Sequence, residues 1–328
     1  MYEFIAIGET TIDAFIKLEN ASINCDVDKK NCKICLPFAA KVPYEFVVEV
    51  PAVGNAGNAS VAASRLGLKS ALVANVGNDN DGEKCLHALE RDGVSTEYVG
   101  IQEGEKTNYH YVLWYEDDRT ILQKHSKFKY KLPDIGEPKW IYLTSLGKDS
   151  DQYHGEITEY LNNFPDIKLA FQPGIFQISL GKDKLQDIYQ RSNIFFCNVG
   201  EAGKILGLDT LGINELLKRI HALGPKIVVI TDGPKGAYAY DGQDVWFQPP
   251  YPDPKPPYER TGAGDAFSST MVAALALGND LPTALSWGAV NSMSVVQQIG
   301  AQKGLLSRPQ IEEYLKTAPA DFQTKKLK

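Results

Sequence analysis

Long apolar runs are missing from this 328-residue chain. Nothing approaches the about 18–20 consecutive apolar residues of a membrane-spanning helix, so a membrane protein is not expected. Basic residues are neither in excess nor clustered: 34 Lys and Arg against 41 Asp and Glu leave a net charge of −7. Nucleic acid is therefore not an expected partner, because neutralising phosphates needs a concentrated basic surface. Cysteine is scarce, with five residues, and the opening MYEFIAIGET lacks the basic-then-apolar pattern of a secretory signal. Free thiols in a cytoplasmic protein are the expectation. No fixed-period repeat is visible. A hydrophobic share of 43% with 23% charged residues excludes intrinsic disorder. The length suits two domains, or one large α/β domain with a small appendage.

Short apolar runs are present, and they alternate with helical patterns. Phe4–Gly8, Ala71–Val76, Trp140–Leu143, Lys168–Phe171, Ile194–Cys197 and Lys226–Ile230 read as strands apolar on both faces. Helical segments are expected near 55–66, 81–91, 151–163, 182–190, 201–206, 213–222, 264–278, 281–299 and from Ile311 to Lys316. This rhythm predicts βαβ units and a mostly parallel sheet covered on both faces. Residues 13–51 and 105–126 break it with alternating β-type segments, which predicts a small sheet projecting from a core of 1–12, 52–104 and 127–328. Six prolines between Pro249 and Pro257 forbid helix and central strand, so this stretch reads as a rigid loop delivering the next segment to a site.

That next segment is Thr261-Gly262-Ala263-Gly264-Asp265, running into an alanine-rich helix. Small residues let a ligand approach the backbone, and the first amides of a helix point outward unpaired. With the helix dipole they form an anion site. A carboxylate there would repel the anion that the amides attract, unless it takes the proton of a hydroxyl attacking a phosphate. The plainer alternative is a turn with Asp265 capping the helix. Val53-Gly54-Asn55-Ala56-Gly57-Asn58 opens another small-residue helix. It fits neither the dinucleotide fingerprint nor a P-loop, and its asparagines would bind polyol hydroxyls or cap the helix.

In order along the chain follow Val76-Gly77-Asn78-Asp79 with Gly82, Asn198-Val199-Gly200-Glu201, Thr231-Asp232-Gly233-Pro234-Lys235-Gly236, Gly262–Asp265 and Gly300-Ala301. Together with Val53–Gly67 the set resembles the ribokinase-like sugar kinases, the PfkB carbohydrate kinase family. The resemblance implies a three-layer α/β/α core with a β-sheet lid, and ATP-dependent phosphorylation of a hydroxyl of a sugar or sugar-like polyol. A nucleoside kinase on the same scaffold and a non-catalytic sugar- or nucleotide-binding protein are the alternatives. It implies Asp265 as base, with Gly262, Ala263 and Gly264 as anion hole. Asp13, Gly54 and Asn58 would bind the acceptor. Asn198 and Glu201 would organise Mg²⁺ through water, and Thr231, Gly233, Gly236 and Asn291 would sit at the nucleotide. A homodimer through the lid is a further implication.

Some positions depart from the family pattern. Val53 replaces a glycine beside the sugar, and Glu259-Arg260 replaces an Asp-Thr belonging to a monovalent-cation loop, which leaves potassium activation open. Arg260 would be a fixed charge near a phosphate or a solvated surface arginine. Cys25, Cys32 and Cys35 include a Cys-x-x-Cys spacing, but no nearby fourth ligand completes a zinc site, so they read as ordinary thiols.

Overall fold

The computed structural model describes residues 1–26, 32–116, 118–208 and 211–327. In chain order the strands are β1 (Phe4–Ile7), β2 (Thr11–Leu18), β3 (Ser22–Asn24), β4 (Lys33–Cys35), β5 (Tyr44–Val53), β6 (Ser70–Gly77), β7 (Val99–Gln102), β8 (Tyr109–Tyr115), β9 (Asp118–Leu122), β10 (Trp140–Leu143), β11 (Lys168–Phe171), β12 (Ile194–Asn198), β13 (Ile227–Thr231), β14 (Ala237–Tyr240), β15 (Val245–Gln248) and β16 (Lys325–Leu327). The helices are α1 (Asn55–Arg65), α2 (Asn80–Arg91), α3 (Asp151–Asn163), α4 (Ile175–Leu180), α5 (Gln186–Arg191), α6 (Val199–Leu206), α7 (Ile213–His221), α8 (Ala263–Ala276), α9 (Leu281–Val295) and α10 (Arg308–Lys316).

Ten strands form one sheet in the order β16-β15-β14-β13-β12-β11-β10-β1-β6-β7. From β13 to β7 all pairings are parallel; β14, β15 and β16 extend one edge antiparallel. The central strands are apolar throughout because successive side chains enter two different cores. Phe4, Ala6, Tyr142 and Phe196 pack with α1, α2 and α8–α10 on one face, while Ile5, Ile7, Leu143 and Phe195 pack with α3 and α5–α7 on the other. This is the expected α/β sandwich. The antiparallel edge is not expected from the sequence; the helix expected over 182–190 is the shorter α5, and α4 precedes it as a further helix.

The second sheet has the order β5-β2-β8-β9, built from insertions after β1 and after β7. It begins at Thr11 and ends its first part at Val53, slightly wider than the 13–51 expected, and that expected range and 105–126 include residues 27–31 and 117, which lie outside the described residues. Its inner face carries Asp13 opposite His110, Phe15 opposite Val112 and Lys17 opposite Trp114. Phe15 and Val50 reach the turn at Gly300, placing this face against the back of the α8 N-terminus. Of the lid aromatics, Trp114 is fully buried whereas Tyr111 faces outward, as period-two alternation requires.

The expectation of free thiols is corrected at one pair. Cys25 and Cys32 are joined by a disulfide, while Cys35, Cys85 and Cys197 carry free thiols. The cause is local: β3 and β4 pair antiparallel, with Asn24 opposite Lys33, which brings the next residue of each arm face to face. No helix among the described residues is long and apolar enough to cross a membrane.

Candidate active site

The residues singled out in the sequence gather at the carboxyl ends of the parallel strands, where open α/β sheets bind ligands. Asn198 closes β12 and pairs in register with Thr231 at the end of β13. Gln172 follows directly on β11. Facing these strand ends is the start of α8. Gly262 is its N-cap with φ 82°, and a Cβ there would lie 2.3 Å from the Cβ of Ala301. Glycine is thus required twice over, by the left-handed backbone and by contact. No side chain caps this helix, so its first-turn amides stay available. Gly264 is exposed, and a Cβ added there would meet nothing within 4 Å.

Asp265 sits one turn in and is half-buried. Its Oδ1 accepts from Asn55 Nδ2 and from Gln172 Nε2, both at 3.1 Å, and its Oδ2 accepts from Asn58 Nδ2 at 2.8 Å. Burial pushes this carboxyl above its ordinary value. The Asn58 and Gln172 donors oppose the shift, and the nearby Asp13 carboxylate adds to it. The site therefore sets three amide donors against desolvation to hold one negative charge. Asn55 and Asn58 do not cap α1, whose N-cap is Gly54 at φ 91°; their amides are turned to Asp265 instead. Glu259, fully buried, anchors the approach to α8: its Oε1 accepts from the Thr261 amide at 2.8 Å and from the Thr261 hydroxyl at 2.5 Å.

On one side of Asp265 lies a cavity of about 330 Å³. Thr231, Gly233, Gly236, Ala263 and Gly264 all line it, with Arg260 and the prolines Pro249, Pro250 and Pro257. The proline-rich stretch is thus a wall of the site. Phe267, Tyr251 and Met293, which the sequence reading did not name, supply apolar surface suited to a flat ring. Asn291 is not brought to this wall. It is fully buried, donates to the Thr270 hydroxyl at 2.6 Å and accepts from the Leu306 amide at 2.9 Å, so it ties α9 to α8 and to the chain beyond. The nucleotide-contact expectation for Asn291 is thereby corrected, since both ends of its amide are taken up inside the protein.

Asn198 and Glu201 form a reciprocal cap at the start of α6: the Glu201 amide donates to Asn198 Oδ1 at 2.8 Å, and the Asn198 amide donates to Glu201 Oε2 at 2.9 Å. Burial pushes the Glu201 carboxyl up, the Asn198 amide opposes it, and the Asp265 charge adds to it. The two acids are therefore within electrostatic reach of one another. Among the described residues no cluster of three or more His, Cys, Asp or Glu could hold a metal by itself.

On the other side of Asp265 is a group of buried polar side chains under the small sheet. His110 Nδ1 is 3.3 Å from Asp13 Oδ1, and His125 Nδ1 is 3.0 Å from Glu9 Oε2. The two imidazoles meet edge to face at 5.3 Å, and Tyr130 donates to Glu9 Oε1 at 3.3 Å. Asp13 Oδ1, His110 Nε2 and His125 Nε2 are buried without a hydrogen-bond partner among the described residues. Asp13 was expected at the site; no local pattern marks Glu9, and the group is assembled from separated segments of the chain.

Comparison with known proteins gives the family and the fold. A family model described as pfkB family carbohydrate kinase matches residues 20–308, and the chain belongs to that family of kinases. The ribokinase of Bacillus subtilis (strain 168) is 27% identical over 268 residues, covering 80% of this chain and 87% of the relative. The crystal structure of Methanocaldococcus jannaschii nucleoside kinase, an archaeal member of the ribokinase family, superimposes with a TM-score of 0.78 at 19% identity, covering 96% of this chain and 98% of that one. Arabidopsis thaliana ribokinase, complexed with ribose and ATP, gives 0.78 at 18% identity over 96% and 99%. The fold is ribokinase-like.

Proposed function

We propose that this protein transfers the terminal phosphoryl group of ATP to a hydroxyl of a sugar or sugar-like polyol. The observation that carries the reading is Asp265, held by three amide donors at the head of α8, beside the Ala263 and Gly264 backbone that lines the cavity. In the step, the acceptor oxygen bonds to the terminal phosphorus as the bond to the bridging oxygen of ADP breaks, and the acceptor proton passes to the Asp265 carboxylate. The Gly262–Gly264 amides receive the charge on the transferred group. Thr231, Gly233 and Gly236 border the nucleotide, and Arg260 stands on the same wall.

Mg²⁺ fits the donor set: it usually keeps several waters and needs only one or two carboxylates besides substrate phosphates, which matches a site offering Glu201 with Asn198. It would neutralise phosphate charge there, held by those two residues through water.

The acceptor would lie between Asp265 and the small sheet, which acts as a lid excluding water. Asp13, Gly54 and Asn58 border that space. The two buried imidazole Nε2 atoms without a hydrogen-bond partner, and Asp13 Oδ1, whose one contact is His110 at 3.3 Å, support a polyhydroxylated ligand that would pair with them. A nucleoside acceptor is the second reading, favoured by the near full-length match to a nucleoside kinase that includes the small sheet. The half-exposed Val47, Tyr111 and Leu122 on the outer face of that sheet suit a second copy of the chain.

The test is ADP release over a panel of sugars and nucleosides by the wild type and Asp265→Asn. We expect turnover with at least one acceptor, and a loss of about 10²–10⁴-fold in the variant with ATP affinity retained. Equal inactivity of both proteins across the panel would favour a binding protein instead.

A further inference from the structure

Asp265 is reached by a side chain that no sequence motif marks. Gln172 stands just beyond β11, and its Nε2 donates to Asp265 Oδ1 at 3.1 Å. The other end of the same amide is also engaged. Gln172 Oε1 accepts from the Tyr142 hydroxyl at the end of β10 and from the Ser268 hydroxyl of α8, the latter at 3.0 Å. Tyr142 and Ser268 are themselves 2.7 Å apart, and Ser268 also reaches the Gly264 carbonyl at 2.8 Å. Chemistry fixes which way the amide points. Against the ionised carboxylate, a reversed amide would set a carbonyl oxygen 3.1 Å from a carboxylate oxygen, two acceptors with no proton between them. Tyr142 is fully buried, and burial and the Asp265 charge push its phenol well up, which favours the protonated, donating form.

We propose that Gln172 is a positioning residue that keeps Asp265 ionised, its amide locked in the donor orientation by Tyr142 and Ser268. A neutral amide is the suitable group here. It stabilises the charged carboxylate without forming an ion pair that would remove its basicity, and it has no proton to exchange with Asp265. Asp13 from β2, Glu201 from α6 and Tyr142 from β10 face Asp265 as acids, and Arg260 lies on the cavity wall with Gly264. Besides the start of α8, the groups that bond the carboxylate directly are the dipolar donors Asn55, Asn58 and Gln172. Of these, Asn55 and Asn58 lie on α1 toward the acceptor side, where an incoming hydroxyl would compete for the carboxylate. Asn58 is also tied on its far side, its Oδ1 accepting from Gln302 Nε2 at 3.2 Å, but Gln172, held by Tyr142 and Ser268, is the tied donor that does not come from α1. The consequence for turnover rests on Asp265 being the base; the consequence for its ionisation does not.

The experiment is a carbon-13 titration of the aspartate carboxyl carbons in the full-length protein, without ligands, with the Asp265 signal assigned by its loss in Asp265→Asn. In Gln172→Leu the Asp265 midpoint should rise by about one pH unit. It should rise less in Tyr142→Phe and in Ser268→Ala, each of which removes one of the two hydroxyls that hold the amide. If an acceptor is in hand, the acid limb of kcat/KM should move by the same amount, giving about a tenfold loss on the acid side and little change on the alkaline side. An unchanged Asp265 midpoint in folded Gln172→Leu, or a kcat/KM lowered equally at every pH, would overturn the proposal. Should Gln172→Leu fail to fold, the two hydroxyl deletions decide the matter: no upward shift in either refutes it. Retained turnover in Asp265→Asn would instead sink the base assignment and leave the titration result standing.

Discussion

The two sides of Asp265 are built from different materials. Toward α8 the site is backbone and hydrocarbon: helix-start amides, glycines, prolines, Phe267 and Met293. Toward the small sheet it is buried charge and polarity: Glu9, Asp13, His110, His125 and Glu259. A phosphate can be held by main-chain amides alone, so that side needs a chain path more than particular side chains. An acceptor molecule is distinguished by its own arrangement of polar groups, and only side chains can match it. Under the proposed function, the first side would carry the reaction and the second its selectivity.

The largest effects should come from the backbone side. Gly262→Ala forces a Cβ into Ala301 at a left-handed φ, and we expect a stability loss of about 2–4 kcal/mol by denaturant unfolding, with turnover abolished. Gly264→Ala is the contrasting change. Its Cβ meets no protein atom, so the melting temperature should hold or rise slightly, while kcat/KM for ATP falls at least about tenfold. Normal kinetics in Gly264→Ala would break the distinction, because the backbone there would then not face the nucleotide.

On the charged side, Arg119 of β9 approaches Glu259 Oε1 at 3.8 Å, and Trp114 meets Tyr258 edge-on at 4.9 Å. These contacts tie the small sheet to the residues leading into α8. Because Arg119 is partly exposed and the separation is long, Arg119→Ala should cost about 1–2 kcal/mol, less than removing one partner of a fully buried pair. Adding Glu259→Gln, which removes the stranded charge, should recover part of that loss in a double-mutant cycle.

The smallest expected effect concerns pH. A carboxyl whose folded-state value is raised binds its proton more tightly when folded. The stability it confers is present below its unfolded value near 3.8 and declines as pH rises through the raised folded value. The stability of Asp265→Asn relative to the wild type should accordingly shift in the variant's favour as pH rises from about 3 to neutral, as read from unfolding at a series of pH values. A gain that grew on acidification would contradict the sign.

Much of the architecture was legible because the central strands are apolar on both faces and glycine patterns mark the chain turns. The antiparallel edge was not. β14 alternates buried and half-buried residues, and β16 is the exposed triplet Lys325–Leu327, joined through backbone hydrogen bonds that leave no hydrophobic trace in the sequence. The phosphate side of the site was legible for the same reason that it needs glycine. Gln172, Tyr142 and Ser268 were not, since each belongs to a different part of the chain and only the packing of α8 on the sheet makes them neighbours. Asn291 misled because it lies on a helix buried all round, where the face a side chain presents cannot be inferred from apolar period. The Cys25–Cys32 bond escaped a reading that reasoned from compartment instead of hairpin register.

The most direct test is a crystal structure of the protein with a non-hydrolysable ATP analogue and an acceptor identified by the panel. The account predicts an acceptor hydroxyl within hydrogen-bond distance of Asp265, in line with a terminal phosphorus that lies over the amides of Ala263 and Gly264. A terminal phosphate bound away from the start of α8, or an acceptor with no hydroxyl near Asp265, would contradict it.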